Sequence, residues 1–359
     1  MEKFTMTGCD LHDKSMLLKI ASGQEPPAKR SFENNAGGWR AMLAELKKRA
    51  AQAGSTKIVF AYEASGLGFG LCDFLTENGI TCHVLAPSKI ERSPKHRKAK
   101  TDERDAERVL EILRGHYLAG NKLPAVWVPD KQTRDDREVV RARLDAQEKC
   151  SAVKAQIRTL LKRNGIARPE ECGDGWTEKF RAWLKKLSTC AKPLAFGART
   201  NLASLLRQLA SLEAEVVTLE ESVAALAKKP RYAASVKKLR KFKAIGVFSA
   251  MVFLVEMGDL NRFSNRKQVG AFLGLVPSSN ESGEADDRKG HITHQGPARI
   301  RYILCQMVWN RNRCDPGEKA VYERIAAKNP KHKKIAVVAA MRRLAVKMWH
   351  VACPAKAAA

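Results

Sequence analysis

The chain has 359 residues, enough for two or three domains, and its 65 Lys and Arg outnumber 38 Asp and Glu to leave a net charge of +27. That surplus suits a phosphate polymer, bound through counterion release, better than a membrane, because no lipidation signal or basic amphipathic anchor stands out. No run approaches the ~20 apolar residues of a spanning helix, and Met1-Glu2-Lys3-Phe4 opens no signal peptide. Nine cysteines without Cys-x-x-Cys spacing indicate neither a disulfide framework nor a zinc site, so a reducing cytoplasm is the expected compartment.

In chain order, the first ~125 residues alternate as an α/β segment. Strands are predicted at 4–10, 15–20, 57–62 and 80–85, the first two as a hairpin. Helices are predicted at 37–52, with Trp39, Met42, Leu43 and Leu46 as the apolar stripe, and at 67–77 before the Asn78-Gly79 stop. Residues 88–100 form a basic loop containing Lys95, Arg97 and Lys98. It is either a solvated loop or a grip on nucleic-acid backbone, and its abutment on two acids favours the grip. A long polar helix follows over 130–164.

Residues 200–227 carry Leu202, Leu205, Leu209, Leu212, Val216, Leu219, Val223 and Leu226 at alternating spacings of three and four, a four-heptad coiled-coil seam closed by Pro230. Pairing between chains, as a dimer or tetramer, is expected; a hairpin with the 130–164 helix within one chain is the alternative. Around Ile245-Gly246 the pattern reads as helix, tight turn and helix, either a helix–hairpin–helix that holds DNA backbone or a plain corner. Residues 278–296 read as a polar loop, and helices return at 298–313, 318–328 and 333–350.

Two constellations carry chemistry. Asp10 and Glu63 end strand-like runs, and Asp102 and Asp105 stand three apart at a helix start. Strand ends share a sheet edge and an i, i+3 pair shares a helix face, so the fold can gather all four. Together they would repel unless they held a divalent cation, and oxygen-only ligands favour Mg²⁺ or Mn²⁺. Singly, each is more often a cap or a surface acid, and Asp13, Asp73, Glu103 and Glu107 lie nearby as decoys. The second constellation is the stretch from Gly274 to Gly296. There Ser282 precedes Gly283, and Arg288 and Lys289 follow six and seven positions on. A surface loop is the plain reading; a serine nucleophile toward phosphate is the sharper one. His291 and His294 suit phosphate or solvent better than a metal.

In this order the two constellations resemble the DEDD transposases of bacterial insertion sequences, bridge-RNA-guided serine recombinases. The likeness covers nearly the whole chain. It rests on Gly8-Cys9-Asp10-Leu11-His12-Asp13-Lys14-Ser15, Ala61-Tyr62-Glu63-Ala64-Ser65-Gly66 and Lys100-Thr101-Asp102-Glu103-Arg104-Asp105-Ala106. In the C-terminal part it rests on Glu256-Met257-Gly258-Asp259, Phe263, Gly274-Leu275-Val276-Pro277, Ser282-Gly283 and Gly290-His291-Ile292-Thr293. His294 and Pro297 depart from the lysine and asparagine frequent there. The resemblance implies a RuvC-like ribonuclease-H-fold domain at 1–128, a long-helix and coiled-coil segment at 129–230 and a mainly helical serine transposase domain at 231–359.

The implied reaction cuts and rejoins donor and target DNA through a Ser282 phosphoserine. Asp10, Glu63, Asp102 and Asp105 hold Mg²⁺, Arg288 and Lys289 neutralise the phosphate, and a noncoding guide RNA selects both DNAs. A metal-dependent nuclease of the Holliday-junction type, with water as nucleophile, is the main alternative. A non-catalytic nucleic-acid scaffold is the third.

Overall fold

The computed structural model describes residues 3–90, 101–279, 289–328 and 330–353, which divide into two compact units, 1–128 and 129–359. The first is built on a five-stranded sheet of β1 (Phe4–Leu11), β2 (Ser15–Ser22), β3 (Ala28–Glu33), β4 (Lys57–Glu63) and β5 (Thr81–Leu85), in the order β3-β2-β1-β4-β5. β1, β2 and β3 form an antiparallel meander, and β4 and β5 run parallel to β1. Helices α1 (Ala36–Gln52), α2 (Gly70–Glu77) and α3 (Asp102–Ala119) cover the sheet.

Alternation along the strands gives the sheet two different faces. Cys9, Leu18, Phe60 and Tyr62 pack under α1 and α2 with Met42, Leu46, Leu71 and Leu75. Met6, Val59, Ala61 and Leu85 pack under α3 with Val109, Leu110 and Leu113. The third strand was not expected from the sequence. Ala28-Lys29-Arg30-Ser31-Phe32-Glu33 has one large apolar side chain, because it is an edge strand exposed along most of its length, and edges are kept charged.

The second unit is helical: α4 (Lys131–Arg163), α5 (Glu178–Thr189), α6 (Phe196–Ala227), α7 (Pro230–Leu239), α8 (Val247–Met257), α9 (Arg266–Phe272), α10 (Ala298–Cys314), α11 (Pro316–Ala327) and α12 (Lys333–Ala352). The predicted seam lies on α6, and it packs on α4 of the same chain. Leu202, Leu205 and Leu209 are buried with Cys150, Val153, Ile157 and Leu160, and α5, missed in the sequence, adds Phe180, Leu184 and Leu187. At the other end, Val223 and Leu226 join the core of the C-terminal helices with Val140 and Leu144. The seam therefore finds its partner within the chain, against the expectation of pairing between chains along its whole length. Only its middle, Leu212, Val216 and Leu219, stays partly open, beside exposed Val217.

Two local expectations also change. At the helix corner Ala244, not Gly246, takes the left-handed conformation (φ 60°), and Gly246 is extended at the start of α8. Almost all of α8 is buried, which makes it a central core helix. The predicted polar loop begins and ends as a short antiparallel ladder, β6 (Pro277–Ser279) with β7 (Lys289–Ile292). No helix among the described residues is long and apolar enough to cross a membrane.

Candidate metal centre

The parallel ladder of β1 and β4 runs to Cys9 opposite Tyr62, so Asp10 and Glu63 stand side by side one step further on. By period-2 alternation both belong to the face that α3 covers. Gly8, two residues before Asp10, sets how closely that helix approaches. A Cβ there would sit 2.2 Å from the Ala106 carbonyl oxygen and 2.3 Å from the Leu110 nitrogen. With no side chain in the way, the first turn of α3 comes down beside the strand end. Thr101 caps that turn, its Oγ1 accepting from the Arg104 N–H at 3.4 Å. The acids Asp102, Glu103 and Asp105 fill the turn, where a helix N-terminus favours negative charge.

Asp10, Asp102 and His12 each offer a ligand atom, and all three atoms lie within 4.8 Å of one another. His12 Nε2 stands 3.0 Å from Asp10 Oδ2 and 3.5 Å from Asp102 Oδ1. Its backbone is held by the tight turn into β2, with His12 N–H donating to the Ser15 carbonyl at 2.9 Å, and by Asn34 Nδ2 donating to the His12 carbonyl at 2.8 Å. Burial pushes the Asp10 carboxyl above its ordinary pKa, and the charges of Asp102 and Asp105 push the same way against the pull of His12. The donor set of carboxylate oxygens with one imidazole nitrogen fits a divalent cation, which would relieve that crowding.

Of the expected tetrad, then, Asp10 and Asp102 meet directly. Asp105 is close enough to act on Asp10 through its charge and lies 3.7 Å from Arg108. Glu63 shares the strand-end position, outside the tight group of ligand atoms. Sequence reasoning missed His12. The signal was its place two residues after Asp10, since i and i+2 share one side of an extended chain. The decoy Glu103 is accounted for: Lys19 and Lys29 donate to it at 2.6 and 2.7 Å and hold its carboxyl down at about 2.

Lys95, Arg97, Lys98, Ser282 and Arg288 lie outside the described residues, and Lys289 is described by its backbone pairing only. The neighbouring serine Ser278 is engaged: its Oγ donates to the His291 carbonyl at 3.0 Å, across a ladder where Gly290 leaves room for it.

Two family models match this chain. A DEDD transposase model covers residues 7–165, which include all four predicted acids, and the transposase model of the IS116/IS110/IS902 family covers 236–323, which include Ser282. Over these two stretches the chain is similar to the IS110/IS116 transposases. Among its relatives, the protein of Sinorhizobium fredii named as transposase y4qE is 30% identical over 70% of this chain and 58% of its own length. A second from that organism, y4rJ, is 28% identical over 81% of this chain and 76% of its own. The transposase for insertion sequence element IS1533 of Leptospira borgpetersenii is 21% identical over 90% of each. The chain thus spans under two thirds of y4qE, while it matches the Leptospira protein almost end to end. Likeness to a DEDD transposase model over residues 7–165 suits use of a divalent metal, and the Asp10–His12–Asp102 group is where the described residues could hold one.

Proposed function

We propose that this protein is a DNA transposase that cuts and rejoins strands of donor and target DNA, with Asp10, Glu63, Asp102 and Asp105 as the metal-holding acids and Ser282 as nucleophile. The observation that carries the reading is the convergence of Asp10 and Asp102 at the end of the parallel strands, on a face opened by Gly8. The strand order β3-β2-β1-β4-β5 supports a RuvC-like ribonuclease-H fold for residues 1–128. Mg²⁺, or Mn²⁺ in its place, would neutralise phosphate charge and lower the barrier to forming the serine alkoxide.

In the reaction the Ser282 oxygen bonds to phosphorus, its proton passes to solvent, and the bond from phosphorus to the leaving strand oxygen breaks as that oxygen takes up a proton. Attack by the hydroxyl of another strand reverses the exchange and frees the serine, so no phosphodiester energy is lost and rejoining needs no ATP. Ser282 is preferred to Ser278 because Gly283, which follows it, permits close approach of a phosphate. Lys95, Arg97, Lys98, Arg288 and Lys289 are assigned to phosphate contact from the +27 charge and their places in the sequence. The guide RNA rests on the family resemblance. Assembly as a dimer or tetramer rests on the heptad spacing of residues 200–227 and on the partly open middle of the α6 seam. A cytoplasmic site of action rests on the nine cysteines without disulfide-like spacing.

A second reading is a metal-dependent junction nuclease in which water attacks. It is favoured by the Asp10–His12–Asp102 group being complete within residues 1–128, so hydrolysis would need nothing from the serine segment. Labelled DNA on a denaturing gel separates the two. Wild type should form a protein–DNA adduct that maps to Ser282, Ser282→Ala should bind DNA without forming it, and Ser278→Ala should still form it. Cleavage without an adduct would make the nuclease the right reading. Cleavage by Asp105→Ala, or by wild type in excess chelator, would remove the metal centre from either.

A further inference from the structure

The C-terminal unit contains a groove of about 2080 Å³ between α9, the β6–β7 ladder and α12. Its floor is apolar: Leu275, Pro277, Ile292, Ile335, Val338 and Val346. Ile335, Val338, Arg342 and Val346 recur at three- and four-residue spacing, so they form one face of α12, ~16 Å long at 1.5 Å rise per residue. Of the eight cations that line the groove, Arg343 and Lys347 are paired with Glu318, and six others stand around this floor: Arg266, Lys267, Lys331, Lys333, Lys334 and Arg342. Among the described residues no carboxylate lines the groove. Among the described residues the acid at its edge is Glu318, which is taken up by Lys347 at 2.6 Å and by Arg311 and Arg343. The six therefore have no carboxylate partner among the described residues, whereas Arg141, Arg181 and Arg231 elsewhere in the same unit each have one.

Two further features shape the groove. Arg342 lies over Gly270, where a Cβ would come 2.8 Å from its Nε, so the missing side chain seats the guanidinium against α9. His294 holds a left-handed backbone (φ 53°), uncommon for a residue with a side chain, and it presents an imidazole to the same groove beside His291.

We propose that this groove binds an unpaired strand of nucleic acid, with bases against the apolar floor and phosphates on the six cations. The inference rests on the transposase reading for its choice of polyanion and adds a site which that reading does not contain. Charge complementarity selects a polyanion. The floor selects an unpaired one, because a duplex keeps its base faces stacked inside and offers only their edges in the grooves. An unpaired strand offers base faces, which pack on apolar and imidazole surfaces without regard to sequence.

The test uses the full-length protein and fluorescence anisotropy with a labelled 12-nucleotide single strand and the matching duplex, across a salt series. The variant Lys333→Gln, Lys334→Gln, Arg342→Gln should bind the single strand about tenfold more weakly and lower the log–log salt slope by about 2, at ~0.7 per lost phosphate contact. Lys333 and Lys334 are exposed in the first turn of α12, where losing positive charge does not harm a helix, so the fold should survive. Ile335→Ser, at a side chain 49% exposed, should weaken single-strand binding several-fold with the slope unchanged. Unchanged single-strand affinity in both variants overturns the groove, and so does an equal proportional loss for the duplex. A wild type that binds neither probe overturns the transposase reading along with it.

Discussion

Glu256 in the helical unit and Asp10 in the sheet unit are both acids drawn away from water, and the chain answers them in opposite ways. Glu256 is 1% exposed and receives Arg141 through two bonds of 2.8 and 3.0 Å, while Arg137 donates to the carbonyls of Val255 and Glu256. Nearby Asp136, equally buried, accepts from the Tyr232 hydroxyl at 2.6 Å and from Gln132 at 2.9 Å. These acids pin α4 to α7 and α8, and nothing further is needed to satisfy them. Asp10 instead meets the charges of Asp102 and Asp105, with the His12 imidazole as its hydrogen-bond partner. An acid supplied with its own cations is architecture. An acid set among other acids stores repulsion that a bound cation would relieve.

The contrast gives the largest expected effects. Asp10→Ala should abolish strand cleavage and leave thermal stability equal or higher, because it removes one of three crowded carboxylates. Glu256→Ala should do the reverse to stability, costing about 3–5 kcal/mol by leaving Arg141 without its buried partner. Both are read by chemical denaturation beside a cleavage assay. A loss of stability in Asp10→Ala as large as that in Glu256→Ala would erase the distinction between the two sites.

The seam of α6 provides a comparison within one helix. Leu209 is 2% exposed against α4, while Val217 is 56% exposed. Leu209→Asp should cost about 3 kcal/mol or more and loosen the hairpin in any oligomeric state. Val217→Asp should leave the fold intact and lower the sedimenting mass if chains pair at the open middle. An unchanged mass for Val217→Asp would place any self-association elsewhere.

These regions also show what was legible beforehand. The apolar runs of β1 and β4 fixed where Asp10 and Glu63 would stand, and the acidic first turn of α3 fixed Asp102 and Asp105, since strand and helix periods are local properties. The seam was equally plain, but a period says which face is buried and not what buries it, and α4 of the same chain does so here. β3 stayed hidden because an exposed edge strand has little apolar pattern to read. His12 was overlooked because an imidazole beside an acid is ordinary in sequence, and only the turn held by Ser15 and Asn34 makes it a candidate ligand.

Gly8 ties the sheet to the acid cluster, and its replacement separates geometry from charge. Gly8→Ala would set a methyl group 2.2 Å from the Ala106 carbonyl oxygen, which is backbone and cannot rotate away. Helix α3 would have to lift, at about 1–3 kcal/mol as for other overpacked sites, and carry Asp102 away from Asp10. The expected result is a modest loss of stability with a large loss of cleavage, partly restored by raised Mn²⁺ or Mg²⁺. Full cleavage by a folded Gly8→Ala would mean that the start of α3 does not contribute to the site.

The smallest effect belongs to an acid of the Glu256 kind that lies nearer to water. Glu213 on α6 receives Arg181 of α5 at 2.6 Å and Lys154 of α4 at 2.8 Å, and these bonds, that of Arg181 foremost, hold its carboxyl down at about 2. A carboxyl lowered on folding stabilises fully above its unfolded pKa, ordinarily 4.5, and loses that contribution as pH falls through the folded value. The melting temperature of wild type should therefore exceed that of Glu213→Gln by a constant, small amount above about pH 5. The gap should close between there and pH 2, and it should shrink in high salt because the side chain is 30% exposed. A gap that persists at pH 2 would assign the role of Glu213 to packing of its side chain rather than to its charge.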